Sequence, residues 1–174
     1  MLDIYPATRD DVPTLLALIR QLAAFEKKPH KAVVTEADLL RDGFGPQPKF
    51  RALIAEWDGQ PAGYASFFYF YSTFQGRPAL FLEDLFVLDQ FRNKGIGKAL
   101  LAAVAKLAVD EGCFGLRWEV LDWNQPAIEF YEKLGATFLN ERKVVAFDED
   151  VMRRVAGTAK PSTTEARRHG GKTK

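Results

Sequence analysis

Apolar and polar positions along the chain fall into two rhythms. "LDIYPA" at the start reads as a short strand. Val12, Leu15, Leu16, Ile19, Leu22 and Ala23 then recur at helical spacing and predict a helix through "TRDDVPTLLALIRQLAAFEKK". Thr8 or Asp10 suits its N-cap, and Pro13 fits within a first turn. "TEADLLRDGFG" predicts a shorter helix, opened by a Thr35-x-x-Asp38 box and closed near Gly43. "FRALIAEW", Asp58-Gly59 and "QPAGYASFFYFY" predict a hairpin, with turn residues between two strand-forming runs.

After a loop around Gly76 and Pro78, "ALFLEDLFVL" predicts a third strand of this group. "GKALLAAVAKLAVDEG" predicts a helix stopped by Gly112. "FGLRWEVL" reads as a strand, "NQPAIEFYEKLG" as a helix ended by Gly135, and "ATFLN…KVVAFD" as a last strand or pair. No internal repeat is visible. Strands paired as hairpins and then alternating with helices predict an α/β fold, a mixed sheet with helices on both faces. The strand, turn and helix of residues 79–111 fall in its middle. The turn then lies at a strand's C-terminal end, where open α/β sheets bind ligands.

Composition narrows the picture. A chain of 174 residues, 47% hydrophobic and 13% aromatic, fits one domain with a sizeable core. From about Ala156 the composition changes: "AGTAKPSTTEARRHGGKTK" has no large apolar residue, and five basic residues against one acidic. We expect a folded domain over 1–155 and a basic, disordered tail over 156–174. The net charge of +1 argues against a nucleic-acid binder or a membrane-surface protein. No apolar run approaches the roughly 20 residues that span a bilayer. The first residues lack a basic n-region and an apolar h-region. Cys113, the only cysteine, excludes an intramolecular disulfide and suits a reducing compartment, so a cytoplasmic protein is expected. With two histidines, one cysteine and no HExxH, no metal site is expected.

One stretch breaks the economy of the rest. "QFRNKGIGKALL", residues 90–101, sets glycines and basic residues where a helix begins. Glycine in a helix interior costs roughly 1 kcal/mol relative to alanine, and cations at an N-terminus oppose the helix dipole. A helix N-terminus with unpaired N–H groups, glycines that admit close approach, and Arg92, Lys94 and Lys98 nearby suits a phosphate or pyrophosphate. A solvated basic loop is the plainer alternative. The P-loop pattern fails, because Ala99 follows Gly97-Lys98 where a hydroxyl belongs; a GxGxxG turn fails as well, since Gly95-x-Gly97 continues as Lys98-Ala99-Leu100.

Arg-x-x-Gly-x-Gly at residues 92–97 resembles the coenzyme A loop of the GCN5-related N-acetyltransferases (GNAT). "LEDLFVLDQFRNKGIGKALL" resembles that superfamily's central strand, loop and helix, and "WNQPAIEFYEKLGA" its later helix. "RQLAAFE", "TEADLLRDGFG", "LEDLFV" and "DWNQPAIEFYEKLGA" are similar to the diamine (spermidine/spermine) branch, which includes thialysine acetyltransferases. The resemblance spans about residues 3–148. It departs from the polyamine enzymes at Phe25 (typically tyrosine), Asn93 (glycine) and Asp122 (glutamate), with a shortened stretch between Gly135 and Phe147.

The resemblance implies a GNAT-type mixed, mostly antiparallel sheet, acetyl-CoA as co-substrate, no metal, and direct attack by a primary amine on the thioester. Leu85, Phe86 and Val87 would line the pantetheine arm. Arg92, Asn93, Lys94, Gly95, Ile96, Gly97 and Lys98 would wrap the pyrophosphate, with Asn124, Gln125, Pro126, Ala127 and Tyr131 farther along the cofactor. Glu83 would be the base, directly or through water, and Tyr131 the proton donor to the departing thiolate. Phe25, Glu26, Glu83, Arg117, Trp118 and Glu119 would meet the amine. Each has a plainer explanation: an ion-paired strand acid, a core tyrosine, a surface carboxylate. Successive strand positions point to opposite faces, so Glu83 and Asp84 are not expected to form a dyad. The branch also implies a homodimer, for which "FFYFY" offers an apolar surface. Peptide acetylation, a silent acyl-CoA sensor and, through the tail, nucleic-acid binding are the alternatives.

Overall fold

The computed structural model describes residues 1–158. These divide into two compact units, Met1–Asn124 and the chain from Gln125 onward. The first holds a five-stranded sheet in sequential order, built from β1 (Leu2–Pro6), β2 (Arg51–Trp57), β3 (Gln60–Ser72), β4 (Arg77–Val87) and β5 (Leu116–Trp118). The first four strands pair antiparallel, and β5 joins β4 in parallel. This is the mixed, mostly antiparallel sheet expected.

Local chemistry accounts for the joints. Asp58 and Gly59 both take positive φ, 51° and 76°, which joins β2 to β3 with a twist that two flanking strands accept. A 3-10 turn at Arg9–Asp11 follows Thr8, and α1 (Val12–Phe25) starts one step later, with Pro13 in its first turn. In α2 (Glu36–Phe44) the predicted box forms: Thr35 Oγ1 accepts from the Asp38 N–H at 3.2 Å, and Asp38 Oδ2 accepts from the Thr35 N–H at 3.1 Å. This helix runs past Gly43, which faces the Phe50 ring, and ends at Gly45. Gly112, at φ 70°, ends α3 (Ile96–Asp110), as expected.

Both sheet faces are covered. Ala52 to Ala55 of β2 are buried in unbroken succession, which requires packing above and below. On one face Leu15 and Leu18 of α1 meet Ala52, Tyr64 and Phe86, and α2 closes against α1 through Val12, Leu16 and Leu39. α3 packs along β3 and β4 with Ile96, Leu100, Val104 and Ala108 buried.

The second unit contains α4 (Gln125–Lys133) and α5 (Glu149–Ala156). Gly135, at φ 83°, follows α4, as expected for a helix stop. The expected last strand or pair is absent: residues 137–148 form no strand, and Val144, Val145 and Phe147 are exposed. A β-prone run becomes a strand only when a ladder partner is in place. β5 is likewise shorter than "FGLRWEVL" suggested, since only Leu116–Trp118 find partners. Asp148 caps α5 by accepting from the Val151 N–H, and Glu149 pairs with Arg153 one turn on. This helix was not foreseen. Most of the expected tail, residues 159–174, lies outside the described residues.

Candidate active site

The parting of β4 from β5 makes the site possible. Their parallel pairing covers Leu80–Leu82 against Leu116–Trp118 and stops, while β4 continues to Val87. Leu85, Phe86 and Val87 therefore pair with β3 on one side and, among the described residues, have no strand on the other. An extended ligand can take those backbone groups as a strand would.

At the point of parting, the β3–β4 ladder slips. Ser66 pairs with Asp84 and Phe67 with Leu82, so Glu83 is a bulge with no partner. Leu82 and Asp84, two apart, thus follow opposite faces of β3, and simple alternation does not hold across Glu83. The bulge removes the alternation on which the expectation of opposite faces for Glu83 and Asp84 rested. The two carboxyl groups interact. Protein atoms around Glu83 push its carboxyl above the usual range although its surface is open, and the charges of Asp84 and Glu119 raise it further.

Asp84 is more enclosed. Burial raises its carboxyl, opposed by the Ser66 hydroxyl, which donates to Oδ2 at 2.7 Å. The fully buried Tyr64 hydroxyl is near enough for Asp84 to raise its pKa, behind the larger effect of burial, yet among the described residues it has no hydrogen-bond partner within normal geometry. Glu26 and Glu83 act on the same hydroxyl. Glu26 at the end of α1, Glu83, Asp84 and Glu119 thus converge electrostatically. Lys28 lies 3.8 Å from Glu26; among the described residues, Glu83, Asp84 and Glu119 form no ion pair. Sequence reasoning set Asp84 aside and missed Tyr64 and Ser66, because only the ladder brings them together.

The glycine turn is built as a cradle. Asn93 and Gly95 take φ of 62° and 80°, and Gly95 caps α3 in the left-handed region without any side-chain cap. The first N–H groups of α3 are therefore not bonded by a capping side chain. A Cβ on Gly95 would meet nothing within 4 Å, and one on Gly97 only Val87 Cγ2 at 3.7 Å. The space that a Cβ would take at both positions is open to a ligand, and the turn fits a diphosphate. Ile96 itself is buried and anchors the helix, while Lys98 is exposed.

Two of the cations expected on phosphate lie on rings. Arg92 lies 4.6 Å from the Phe25 ring centre, and Lys94 Nζ 4.9 Å from that of Trp57. Phe25 packs on Phe86 and Trp123, with centres 6.3 Å and 5.8 Å apart. Trp123, like Tyr64, was not among the expected site residues; its signal was an exposed tryptophan beside Asn124. The guanidinium carbon of Arg117 lies near the rings of Phe70 and Phe114, 5.3 Å and 5.9 Å from their centres. Trp118 ends β5, and Glu119 is the next residue, near enough for its charge to raise the Glu83 carboxyl. Asn124 closes a turn through its N–H to Leu121 O at 2.9 Å. A separate hollow of about 410 Å³ beside α1, lined by Leu18, Gln21, Pro61 and Leu88, contains none of the expected residues.

In the second unit, Gln125, Pro126 and Ala127 form the first turn of α4, and Tyr131 lies one turn on. Tyr131 is buried, its ring is 5.2 Å from Phe130, and burial raises its phenol.

Residues 16–136 match the acetyltransferase (GNAT) family. The chain belongs to that family. It is 38% identical over 165 residues to the thialysine N-epsilon-acetyltransferase of Mus musculus, covering 88% of this chain and 96% of the mouse protein. It is 35% identical over 144 residues to the human spermidine/spermine N(1)-acetyltransferase-like protein 1, covering 79% of this chain and 21% of that longer protein. In fold it resembles the aminoglycoside N-acetyltransferase AAC(6')-Iy solved with CoA, with a TM-score of 0.67 and 23% identity, covering 86% of this chain and 95% of that one. As a GNAT acetyltransferase, the protein uses an acetyl thioester of coenzyme A. Among the described residues no helix is long and apolar enough to cross a membrane.

Proposed function

We propose that this GNAT enzyme transfers the acetyl group of acetyl-CoA to a primary amine of a small diamine, polyamine or lysine analogue such as thialysine, by direct attack. The observation that carries this reading is the cluster of Glu26, Glu83, Asp84 and Glu119, three of them without an ion pair among the described residues. Such a cluster complements a dication. The cation–π contacts of Arg117 with Phe70 and Phe114 commit the one cation expected among these acids to two rings. The names of the mouse and human relatives support the same substrate class.

A lysine-like amine has a reference pKa near 10.4, so its neutral form at pH 7 lies roughly 4.6 kcal/mol uphill. Glu83 takes the proton in this reading, directly or through a water. Its raised carboxyl narrows the gap to the amine. Acetyl-CoA supplies the electrophilic carbonyl. Leu85, Phe86 and Val87 offer backbone groups to its pantetheine arm, Arg92–Lys98 cradle its diphosphate, and Asn124, Gln125, Pro126 and Ala127 extend the cofactor surface. Tyr131 returns a proton to the thiolate: burial keeps its phenol protonated across the working pH range. Phe25, Glu26, Trp118 and Glu119 line the amine side, and Arg117 serves it by packing rather than by charge. The catalytic domain spans 1–155, works in the cytoplasm, and pairs into a homodimer, a state supported by the exposed Tyr69, Tyr71 and Phe74 of the β3–β4 hairpin.

The test is thiol release from acetyl-CoA with thialysine, spermidine, putrescine, lysine, arylalkylamines and a histone-tail peptide, for wild type and Glu83→Gln. Turnover of a small diamine-like amine, cut at least 100-fold in the variant, is expected. Preference for the peptide, or full turnover by Glu83→Gln at every pH, overturns the reading.

A further inference from the structure

Arg92 belongs to the glycine turn, yet its side chain leads away from it. Nε donates to the Val87 carbonyl at 3.2 Å, and Nη2 pairs with Asp89 at 2.8 Å, so the guanidinium is tied to the end of β4. Its central carbon lies over the ring of Phe25, the last residue of α1, 4.6 Å from the ring centre. Phe25 in turn rests on Trp123 and on Phe86, whose backbone is part of the unpaired β4 edge. Lys27 Nζ lies 5.9 Å from the Trp123 ring centre. A single side chain thus joins the turn read as phosphate-binding to the aromatic group on the amine side.

Resting on the acetyl-transfer reading, we propose that Arg92 is a positioning residue that couples the two substrates. Held by Val87 and Asp89 and lying over the Phe25 ring, it keeps the glycine turn in its cradle form while the Phe25–Trp123 pair is seated, so that ordering either half strengthens binding at the other. With its charge paired to Asp89, Arg92 contributes to phosphate binding chiefly by fixing the backbone N–H groups. The guanidinium donates to Val87, pairs with Asp89 and lies over Phe25 at once; a lysine ammonium, a compact point charge, does not hold all three contacts together. Coupling of this kind is reciprocal, so a change at the amine side must appear in cofactor affinity.

The experiment follows CoA binding by calorimetry, which needs no turnover, and the KM for thialysine, or for spermidine if thialysine is not acetylated. The variants are Phe25→Leu, Arg92→Lys, the double variant, and Phe25→Tyr, which keeps the ring. Phe25→Leu is expected to weaken CoA binding about five-fold, equivalent to about 1 kcal/mol, although Phe25 meets the turn through Arg92. Arg92→Lys is expected to raise the amine KM by a similar factor with a smaller change in kcat. The double variant should lose no more CoA affinity than the worse single variant, and Phe25→Tyr should match wild type in CoA affinity. CoA affinity of Phe25→Leu within two-fold of wild type, or losses that multiply in the double variant, overturns the proposal. If Phe25→Leu does not fold, an unchanged amine KM in Arg92→Lys does the same. Wild type that binds no CoA overturns the acetyl-transfer reading and this inference with it; normal CoA binding with uncoupled variants overturns only the inference.

Discussion

Gly63 tests whether the end of β4 is where the chemistry is set. It pairs with Val87, and a Cβ built on it would lie 2.3 Å from the Phe86 carbonyl oxygen and 3.1 Å from Val87 Cα. A carbon and a carbonyl oxygen rest at about 3.3–3.6 Å, so Gly63→Ala must move the end of β4 by roughly 1 Å. Both obstructing atoms are backbone, which no rotamer change relieves. Overpacking of this kind costs about 1–3 kcal/mol. For a chain of this size that lowers the thermal midpoint by about 2–12 °C. The displaced residues, Phe86 and Val87, belong to the edge read as the cofactor's, and a 1 Å misplacement costs about 100-fold in rate. Gly59→Ala is the control: at φ 76° with nothing within 4 Å, it introduces backbone strain in the hairpin turn without moving β4. Thermal unfolding and acetyl-transfer kinetics on both variants give the answer. A midpoint shift below 1 °C in Gly63→Ala refutes the steric argument; activity no worse than in Gly59→Ala refutes the assignment of the β4 edge.

The charge of Asp84 raises the Glu83 carboxyl, so Asp84→Asn should lower the Glu83 pKa and move the acid limb of the kcat/KM profile to lower pH; a limb that stays or moves to higher pH contradicts this. Burial also raises Asp84 itself, so its contribution to stability is full below the unfolded carboxylate pKa near 3.9 and is lost as pH rises through the folded value. Asparagine does not suffer that loss and still accepts from Ser66, so the variant should melt higher than wild type at pH 7 but not at pH 3. Tyr131→Phe should lower kcat about 10–100-fold with little change in thermal midpoint if the phenol supplies a proton, and unchanged kcat in stopped-turnover assays would assign the ring to packing.

Features held by neighbours in sequence were legible. Thr35 and Asp38, Asp58-Gly59, Gly112 and Gly135 each specify a cap or turn through their own backbone and side-chain chemistry, and each does so in the structure. The mixed sheet followed from the order of those pieces. Features that depend on a distant partner were not legible. The length of β5 depends on Leu80–Leu82, and "KVVAF" looks like a strand but forms none. Glu83 was singled out by motif, yet its bulge depends on the register of Ser66 and Phe67 across the ladder. The orientation of Arg92 is similarly remote: nothing near position 92 announces Phe25.

The bulge also separates two demands that usually compete at one position. Each residue of β4 from Arg77 to Val87 has a counterpart on β3, Glu83 alone excepted. A chain shortened by that one residue would read as an uninterrupted hairpin. The acid on which the proposed chemistry turns is therefore the residue the architecture can spare, and its side chain can be exchanged by evolution or design without disturbing the register of the sheet that displays it.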